Sequence, residues 1–424
     1  MRLLIRNARI VDPASARDAM GDLLLADGKI AALDDAAKAA GADRVLDARG
    51  LVLAPGLIDL SARLREPGFE YKATLESEMD AAVAGGVTSL ACPPDTDPPL
   101  DEPGLVDMLR RRAKVLSRAR VYPVGALTVK LAGERLTEMA ELAESGCVAF
   151  SQANVPVADT QVLWRALQYA ATFGFPVWLR AEDLWLAKGG VAHDGEVATR
   201  LGLQGIPPFA ETIALGTILE LVRATGARVH ICRLSTAAAV EMMRRAKAEG
   251  LPVSCDVGVH HLHLSEIDLA DFGAHFRLEP PLRSRRDREA LAGALADGTI
   301  DCACSDHAPM DEDQKHVPFA EAEAGATGLE LLLPLTLKWG EERKLPLAKV
   351  LARVTSDAAR VLGVASGRLA PGAPGDVVLF DPQAAWRVTP QALKSQGKNS
   401  PFLGYELTGC VRATVVAGNL VYER

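Results

Sequence analysis

Residues 55–68 read Pro-Gly-Leu-Ile-Asp-Leu-Ser-Ala-Arg-Leu-Arg-Glu-Pro-Gly, and the rest of the chain is best interpreted outward from them. The stretch begins with a short apolar run, 57–60, of the length expected for a buried strand. Ser61, Arg63 and Arg65 follow that run closely. In sheets of parallel strands, residues just after each strand commonly carry binding or catalysis. The stretch therefore predicts a strand that ends in a functional site.

Seven more apolar runs rich in β-forming residues follow at fairly regular intervals. They are 87–92, 120–127, 147–151, 176–180, 228–234, 252–257 and 299–305. Segments with helical periodicity separate them, most clearly at 105–116, 136–144, 162–172, 237–248 and 286–295. Eight strands that alternate with helices predict a (β/α)8 barrel of the TIM type.

The two ends of the chain have a different pattern, of short alternating strands broken by turns. Chain ends usually lie at the surface and often close together. We therefore predict that residues 1–54 and 362–424 form a composite β-sandwich domain. The barrel would then occupy residues 55–361.

The composition is that of an ordinary globular protein, with 424 residues, 49% hydrophobic content, 24% charged residues and a formal net charge of −8. This charge argues against a nucleic-acid partner, because phosphate binding favours a basic face. No signal-peptide pattern or membrane-length apolar run is evident, so we expect a cytoplasmic protein without a membrane partner. Seven scattered cysteines are predicted to be buried small hydrophobic residues.

Residues 55–68 closely resemble the first barrel strand of the dihydroorotase family within the cyclic amidohydrolases. That strand reads Pro-Gly-x-Ile-Asp-x-His-x-His-x-Arg-Glu/Asp-Pro-Gly. Further matching frames occur at 181–183, 230–236, 305–309 and 397–404, so the resemblance covers essentially the whole chain. It implies an amidohydrolase barrel in which two zinc ions, held by histidines and a carboxylate, generate a hydroxide that attacks a ring amide carbonyl.

Most metal ligands that the resemblance implies are replaced in this sequence. The family's four histidine ligands and its bridging carboxylate correspond here to Ser61, Arg63, Arg180, Arg233 and Ala153. Asp306 matches the remaining ligand, which is also the family's general base. A catalytic zinc needs about three protein ligands, and arginine offers no lone pair. We therefore predict that the binuclear zinc site is lost, that no cofactor is bound and that Asp306 is a relic base.

The substrate pocket that the resemblance implies is also altered. Arg65 matches the family's arginine for the substrate carboxylate, but Asp95 and Glu279 stand at asparagine positions. Met310 replaces a histidine. Added negative charge opposes the docking of an anionic substrate.

The arginines that replace histidine ligands, Arg63, Arg180 and Arg233, allow two interpretations. In the first, they pair with Asp306, Asp95 and Glu279 in a buried ionic network that fills the former metal cavity. In the second, they join Arg65 in a pocket for an anion or a nucleotide. His260 and His261 would point to opposite faces of a strand, whereas His261 and His263 could share a face. The resemblance implies that the family does not use this His-His-Leu segment for zinc, so we interpret the three histidines as polar residues after strand seven.

Two functions of different classes follow from these residues. The first is a catalytically inactive dihydroorotase-like subunit. The resemblance implies that such a chain supports assembly of aspartate carbamoyltransferase, the preceding enzyme of pyrimidine biosynthesis, commonly with six copies of each chain. Self-association as a dimer is also open. The second is an atypical cyclic amide hydrolase in which Asp306 acts as a base, although no Ser/His or Cys/His pair is evident as a nucleophile.

Overall fold

The computed structural model describes residues 2–269 and 272–424. Eight short parallel strands form one sheet in chain order, and we number them barrel strands 1 to 8. They are Leu57–Asp59, Val87–Cys92, Arg120–Ala126, Ala149–Ser151, Val177–Leu179, Val229–Ile231, Val253–Gly258 and Cys302–Cys304. Most of their residues are buried, as expected for parallel strands covered on both faces.

The sheet closes into a barrel where strand 8 returns to strand 1. Just beyond these strands, Ala62 and His307 form a parallel bridge. The His307 N–H donates to the Ser61 carbonyl at 3.0 Å, and the Arg63 N–H donates to the His307 carbonyl at 2.9 Å. The prediction of a (β/α)8 barrel is confirmed, and every apolar run that was predicted to be a barrel strand contains one.

Helices connect the barrel strands and cover the outside of the barrel. After strands 1 to 7 the main helices are Leu75–Ala84, Pro103–Leu116, Met139–Glu144, Thr160–Phe173, Phe209–Thr225, Ala237–Ala248 and Arg285–Asp297. Strand 8 is followed by Leu332–Glu342, Leu347–Ala352 and Ser356–Leu362. All five predicted helices are present: 237–248 has the predicted bounds, and the other four differ from them slightly. Among the described residues, no helix is both long and apolar enough to cross a bilayer.

The connection after strand 5 contains additional short elements before its main helix. They are the helices Leu184–Ala187 and Glu196–Leu201 and the parallel strand pair Ala192–His193 and Gly205–Ile206. These elements lie close to the C-terminal end of the barrel, because they begin directly after strand 5.

Strands from both chain ends combine in a second sheet of eight strands. Its strands are Leu3–Asp12, Arg17–Ala26, Lys29–Leu33, Arg44–Asp47, Val52–Pro55, Val377–Arg387, Glu406–Val416 and Asn419–Glu423, and the short helix Asp34–Ala39 follows the third of them. Strand Val377–Arg387 joins the two halves, because it pairs with Val52–Pro55 on one side and Glu406–Val416 on the other. The expectation that the two chain ends fold together is confirmed.

Asp376 links this second sheet to the barrel. Its buried carboxylate accepts hydrogen bonds from Arg120 Nε at 2.8 Å, the Ala417 N–H at 2.7 Å and the Ser366 hydroxyl at 3.2 Å. Its carbonyl accepts the N–H of Gly56, which lies just before barrel strand 1. Through its side chain and its carbonyl, this one residue connects strand 3 of the barrel to Gly56 before strand 1 and to the C-terminal segment.

We expect Asp376→Ala to lower the free energy of unfolding by about 2–4 kcal/mol, because it leaves a buried N–H and a guanidinium without their acceptor. Denaturant unfolding followed by circular dichroism measures this loss. Asp18→Ala is the matched control, since Asp18 pairs with Arg9 at the surface and its removal should cost less than about 1 kcal/mol. Equal losses in the two variants would contradict a linking role for Asp376.

Candidate functional site

The residues that follow the barrel strands meet at the C-terminal end of the barrel. Ser61 and Arg63 follow strand 1, and the other four positions that the resemblance matches to metal ligands follow strands 4, 5, 6 and 8: Ala153, Arg180, Arg233 and Asp306. The three arginines are buried, with at most 9% of each residue exposed. Burying three guanidinium groups requires nearby acceptors, because an unpaired buried charge is very costly.

Asp306 is the centre of the first group of contacts. It accepts a hydrogen bond from Arg233 Nη1 at 2.8 Å, and Arg63 Nη1 lies 3.6 Å from the same oxygen. The Ser61 hydroxyl donates to it at 3.4 Å. Burial disfavours the charged form of Asp306, but Arg233 and Arg63 outweigh that effect and hold the pKa of this carboxyl below its ordinary value. The retained aspartate is therefore the anion of a buried ion pair.

Arg63 also contacts Asp95, which follows barrel strand 2. Its Nε donates to Asp95 Oδ2 at 2.7 Å. Burial opposes the ionisation of Asp95, yet Arg63 reverses the balance and lowers the pKa of the Asp95 carboxyl. The Asp95 carboxylate thus supplies a counterion for Arg63.

Asn154 connects the arginines in a way that the sequence did not indicate. Its carbonyl oxygen accepts hydrogen bonds from Arg63 Nη2 at 3.1 Å and from Arg233 Nη2 at 2.5 Å. Its amide nitrogen donates to Glu279 Oε2 at 3.3 Å. The only signal in the sequence was its place beside Ala153, directly after barrel strand 4.

Arg180 forms the second group of contacts, between Glu279 and Glu182. Its two terminal nitrogens each donate to one of these carboxylates. Burial disfavours ionisation of Glu279, but Arg180 outweighs it and lowers the pKa of that carboxyl. Glu182 belongs to the matching frame 181–183, and sequence reasoning did not identify it as a counterion.

The ionic network therefore consists of three arginines, four carboxylates and one amide: Arg63, Arg180, Arg233, Asp95, Glu182, Glu279, Asp306 and Asn154. Of the two interpretations of the arginines, this favours the paired network, because each guanidinium already donates to a carboxylate. Ala153 adds no polar side chain, and the residues at the ligand positions do not fit a zinc ion, because guanidinium groups cannot coordinate it.

Arg65 lies outside this network. Its Nε donates to the Pro309 carbonyl at 2.9 Å, and its Nη2 lies 3.4 Å from the sulfur of Met310. Burial, with Arg63 nearby, lowers the pKa of Arg65 to about 10. Arg65, which the resemblance matches to the substrate arginine, thus contacts main chain and a thioether. Asp95, which stands at the asparagine position paired with it, contacts Arg63 instead.

The three histidines after barrel strand 7 do not converge on a common point. His261 Nε2 lies 3.0 Å from the Pro280 carbonyl, and His263 Nε2 lies 2.9 Å from the Leu335 carbonyl. His260 packs near the ring of Phe402, and burial lowers its pKa to about 4. The separate hydrogen-bond partners of His261 and His263, and the packing of His260 against Phe402, support the interpretation of these residues as structural.

We expect Arg233→Met to lower the free energy of unfolding by about 3–5 kcal/mol at neutral pH, because it leaves Asp306 buried without its closest partner. A second substitution, Asp306→Asn, should recover part of this loss. Arg244→Met is the matched control, since Arg244 pairs with Glu241 and Asp297 at the surface and should cost less than about 1 kcal/mol. Denaturant unfolding measures all four chains.

The effect of Arg233→Met should also depend on pH. The folded-state pKa of Asp306 lies below its unfolded value of about 3.9, so the ion pair stabilises the fold above that pH. This contribution is lost as the pH falls through the folded-state pKa. The difference in the free energy of unfolding between the original chain and Arg233→Met should therefore shrink on acidification. A difference that is independent of pH would contradict the pairing of Arg233 with Asp306.

Family models and relatives by sequence agree on one family for this chain. A model described as dihydro-orotase-like matches residues 50–239, and a model of the amidohydrolase family matches residues 186–421. A dihydroorotase-like protein of Pseudomonas aeruginosa is 46% identical, and the match covers 100% of both chains. A dihydroorotase of Geobacter sp. (strain M21) is 41% identical, also with 100% of both chains covered.

Solved structures agree on the fold. An L-hydantoinase (dihydropyrimidinase) from Arthrobacter aurescens superposes with a TM-score of 0.88 at 25% identity, over 99% of this chain and 96% of that one. A third relative by sequence is a dihydroorotase-like protein of Pseudomonas putida, which is 42% identical. The match covers 100% of this chain and 99% of that one. The chain therefore belongs to the dihydroorotase-like members of the amidohydrolase family.

Proposed function

We propose that this chain is a catalytically inactive dihydroorotase-like subunit, a pseudo-enzyme that supports assembly of aspartate carbamoyltransferase in pyrimidine biosynthesis. The observation that carries the loss of catalysis is the ionic network at the former ligand positions. Arg63, Arg180 and Arg233 each donate to carboxylates that neutralise their charge. These residues occupy the positions from which the family's histidines would hold zinc.

The chemistry of ring opening explains why this network is incompatible with the family's reaction. Water becomes a nucleophile at neutral pH only when a metal or a base removes its proton, and zinc lowers the pKa of bound water to about 7. The side chains that replace the histidines cannot hold that zinc. Asp306 is a weak base here, because Arg233 and Arg63 lower its pKa and occupy its oxygen. No step of metal-assisted hydrolysis can therefore be assigned to these residues.

Substrate binding is also opposed. Dihydroorotate carries a carboxylate, and Asp95 and Glu279 place negative charge where the family has neutral amides. Both carboxyls are held in their ionised form by the arginines beside them. Arg65, which would bind the substrate carboxylate, donates instead to the Pro309 carbonyl.

The partner in this proposal comes from the resemblance to dihydroorotases. A barrel that has lost its chemistry but kept its core and its second sheet is suited to a structural role. We expect a hetero-oligomer with the catalytic chain of aspartate carbamoyltransferase, with six copies of each chain. Self-association of the chain as a dimer would be compatible with such an assembly.

We expect no ring opening of dihydroorotate by the purified chain, with or without added Zn²⁺. The dihydroorotase of Geobacter sp. (strain M21), assayed in parallel, is the positive control. Hydantoin and dihydrouracil should be tested as well, because the fold is shared with hydantoinases. Zinc-dependent turnover of any of these substrates would favour the alternative function, an atypical cyclic amide hydrolase.

We expect the chain to co-elute with aspartate carbamoyltransferase from the same organism in size-exclusion chromatography. Light scattering should give a mass that corresponds to six copies of each chain. The carbamoyltransferase alone is the control and should be smaller or less active. A carbamoyltransferase that is fully assembled and active without this chain would contradict the assembly role.

A further inference from the structure

A second polar cluster lies inside the barrel, on the strands themselves. His230 belongs to strand 6, Cys232 follows it directly, and Asp256 belongs to strand 7. One nitrogen, one sulfur and one carboxylate oxygen from these residues all lie within 4.8 Å of one another. His230 and Cys232 share a face because they are two positions apart along an extended segment. The cluster is separate from the positions that the family uses for zinc.

The ligand atoms of His230 and Asp256 are hydrogen bonded to each other, so a bound ion would replace the proton that they share. His230 Nε2 lies 2.9 Å from Asp256 Oδ2, and the other oxygen of Asp256 accepts the Arg233 N–H at 2.6 Å. His230 Nδ1 lies 2.8 Å from the Ser254 hydroxyl. A histidine that binds metal through one nitrogen commonly donates its other N–H to such an acceptor, which orients the ring.

We propose that His230, Cys232 and Asp256 form a binding site for a thiophilic divalent cation of the Zn²⁺ or Cd²⁺ class. Sulfur, imidazole and carboxylate are the ligand types that zinc accepts, and three protein ligands make a complete set for a site with one open position. Cys304 lies next to the cluster, with its sulfur 3.6 Å from Asp256 Oδ1.

The charges of the cluster suit a dication. A thiolate and a carboxylate carry two negative charges, and a neutral imidazole adds none, so a bound divalent ion would leave the group neutral. Neutrality matters here because His230 and Asp256 are almost completely buried.

A cavity reaches the His230 side of the cluster from the end of the barrel opposite the arginine network. The cavity has a volume of about 300 Å³ and is lined by residues that precede or begin barrel strands 5 to 7, including Trp178, His230 and Ser254. Ser254 is partly exposed. The cavity therefore reaches His230, one of the three proposed ligands, and is not lined by Arg63, Arg180 or Arg233.

Metal titration of the full-length chain, first freed of metal by a chelator, tests this site. Cd²⁺ is the probe, because a thiolate ligand produces a charge-transfer absorption band in the ultraviolet. We expect one Cd²⁺ per chain, and we expect Cys232→Ser to abolish the band and weaken binding at least ~100-fold. Cys410→Ser, in the second sheet, is the matched control and should leave both unchanged.

Ser254→Ala tests the orienting hydrogen bond separately. This variant should keep the band and weaken Cd²⁺ binding by about 10-fold, since it removes only the partner of His230 Nδ1. Circular dichroism establishes that each variant is folded, and His230→Gln replaces Cys232→Ser if the latter does not fold. Absence of the band in the original chain, or its persistence in Cys232→Ser, would overturn the proposal.

Discussion

The charge of Asp306 is the constraint on which the rest of the site depends. A carboxylate enclosed at the end of a barrel must be protonated, bound to metal or paired with a cation. Arg233 and Arg63 provide that pairing, and both then require Asn154 as a further acceptor. The same requirement extends through Asn154 to the acidic partners of Arg180. The charged residues of the ionic network therefore depend on one another.

Several buried hydrogen bonds that hold the barrel together do not involve the side chains at the positions matched to metal ligands. Asp59 in strand 1 accepts the Ser305 N–H at 2.8 Å, and burial raises the pKa of this aspartate to about 6. His307 Nε2 donates to Glu78 at 2.6 Å, while its Nδ1 accepts the Gly328 N–H at 3.0 Å. Because these bonds join strand 1, strand 8 and their following segments, the frame can persist while the residues that face the cavity change.

Arg233 connects the two polar layers of the barrel. Its side chain pairs with Asp306 at the C-terminal end, and its main-chain N–H donates to Asp256 in the interior. The residue adopts a positive φ of 55°, a conformation that costs energy for a side chain other than glycine. Both hydrogen bonds compensate for that cost. Through them, Arg233 joins the ionic network to the cluster of His230, Cys232 and Asp256.

The order of strands and helices could be read from the chain because apolar runs and helical periodicity recur along it, and each barrel strand is a local segment. The same pattern placed Ser61, Arg63, Arg180, Arg233 and Asp306 after strands, hence at one end of the barrel. Short helices after strand 5 were not predicted, since they are too brief to show a period.

Only the folded chain decided which arginine pairs with which carboxylate. Arg63 and Asn154 are 91 positions apart, and Arg233 and Asp306 are 73 apart, so no local pattern relates them. Glu182 shows the same limit, because its role depends on the direction that Arg180 takes inside the barrel. Residue types and the ends of strands can be predicted from the local sequence. The pairing of charges depends on distances between side chains that are set only when the barrel closes.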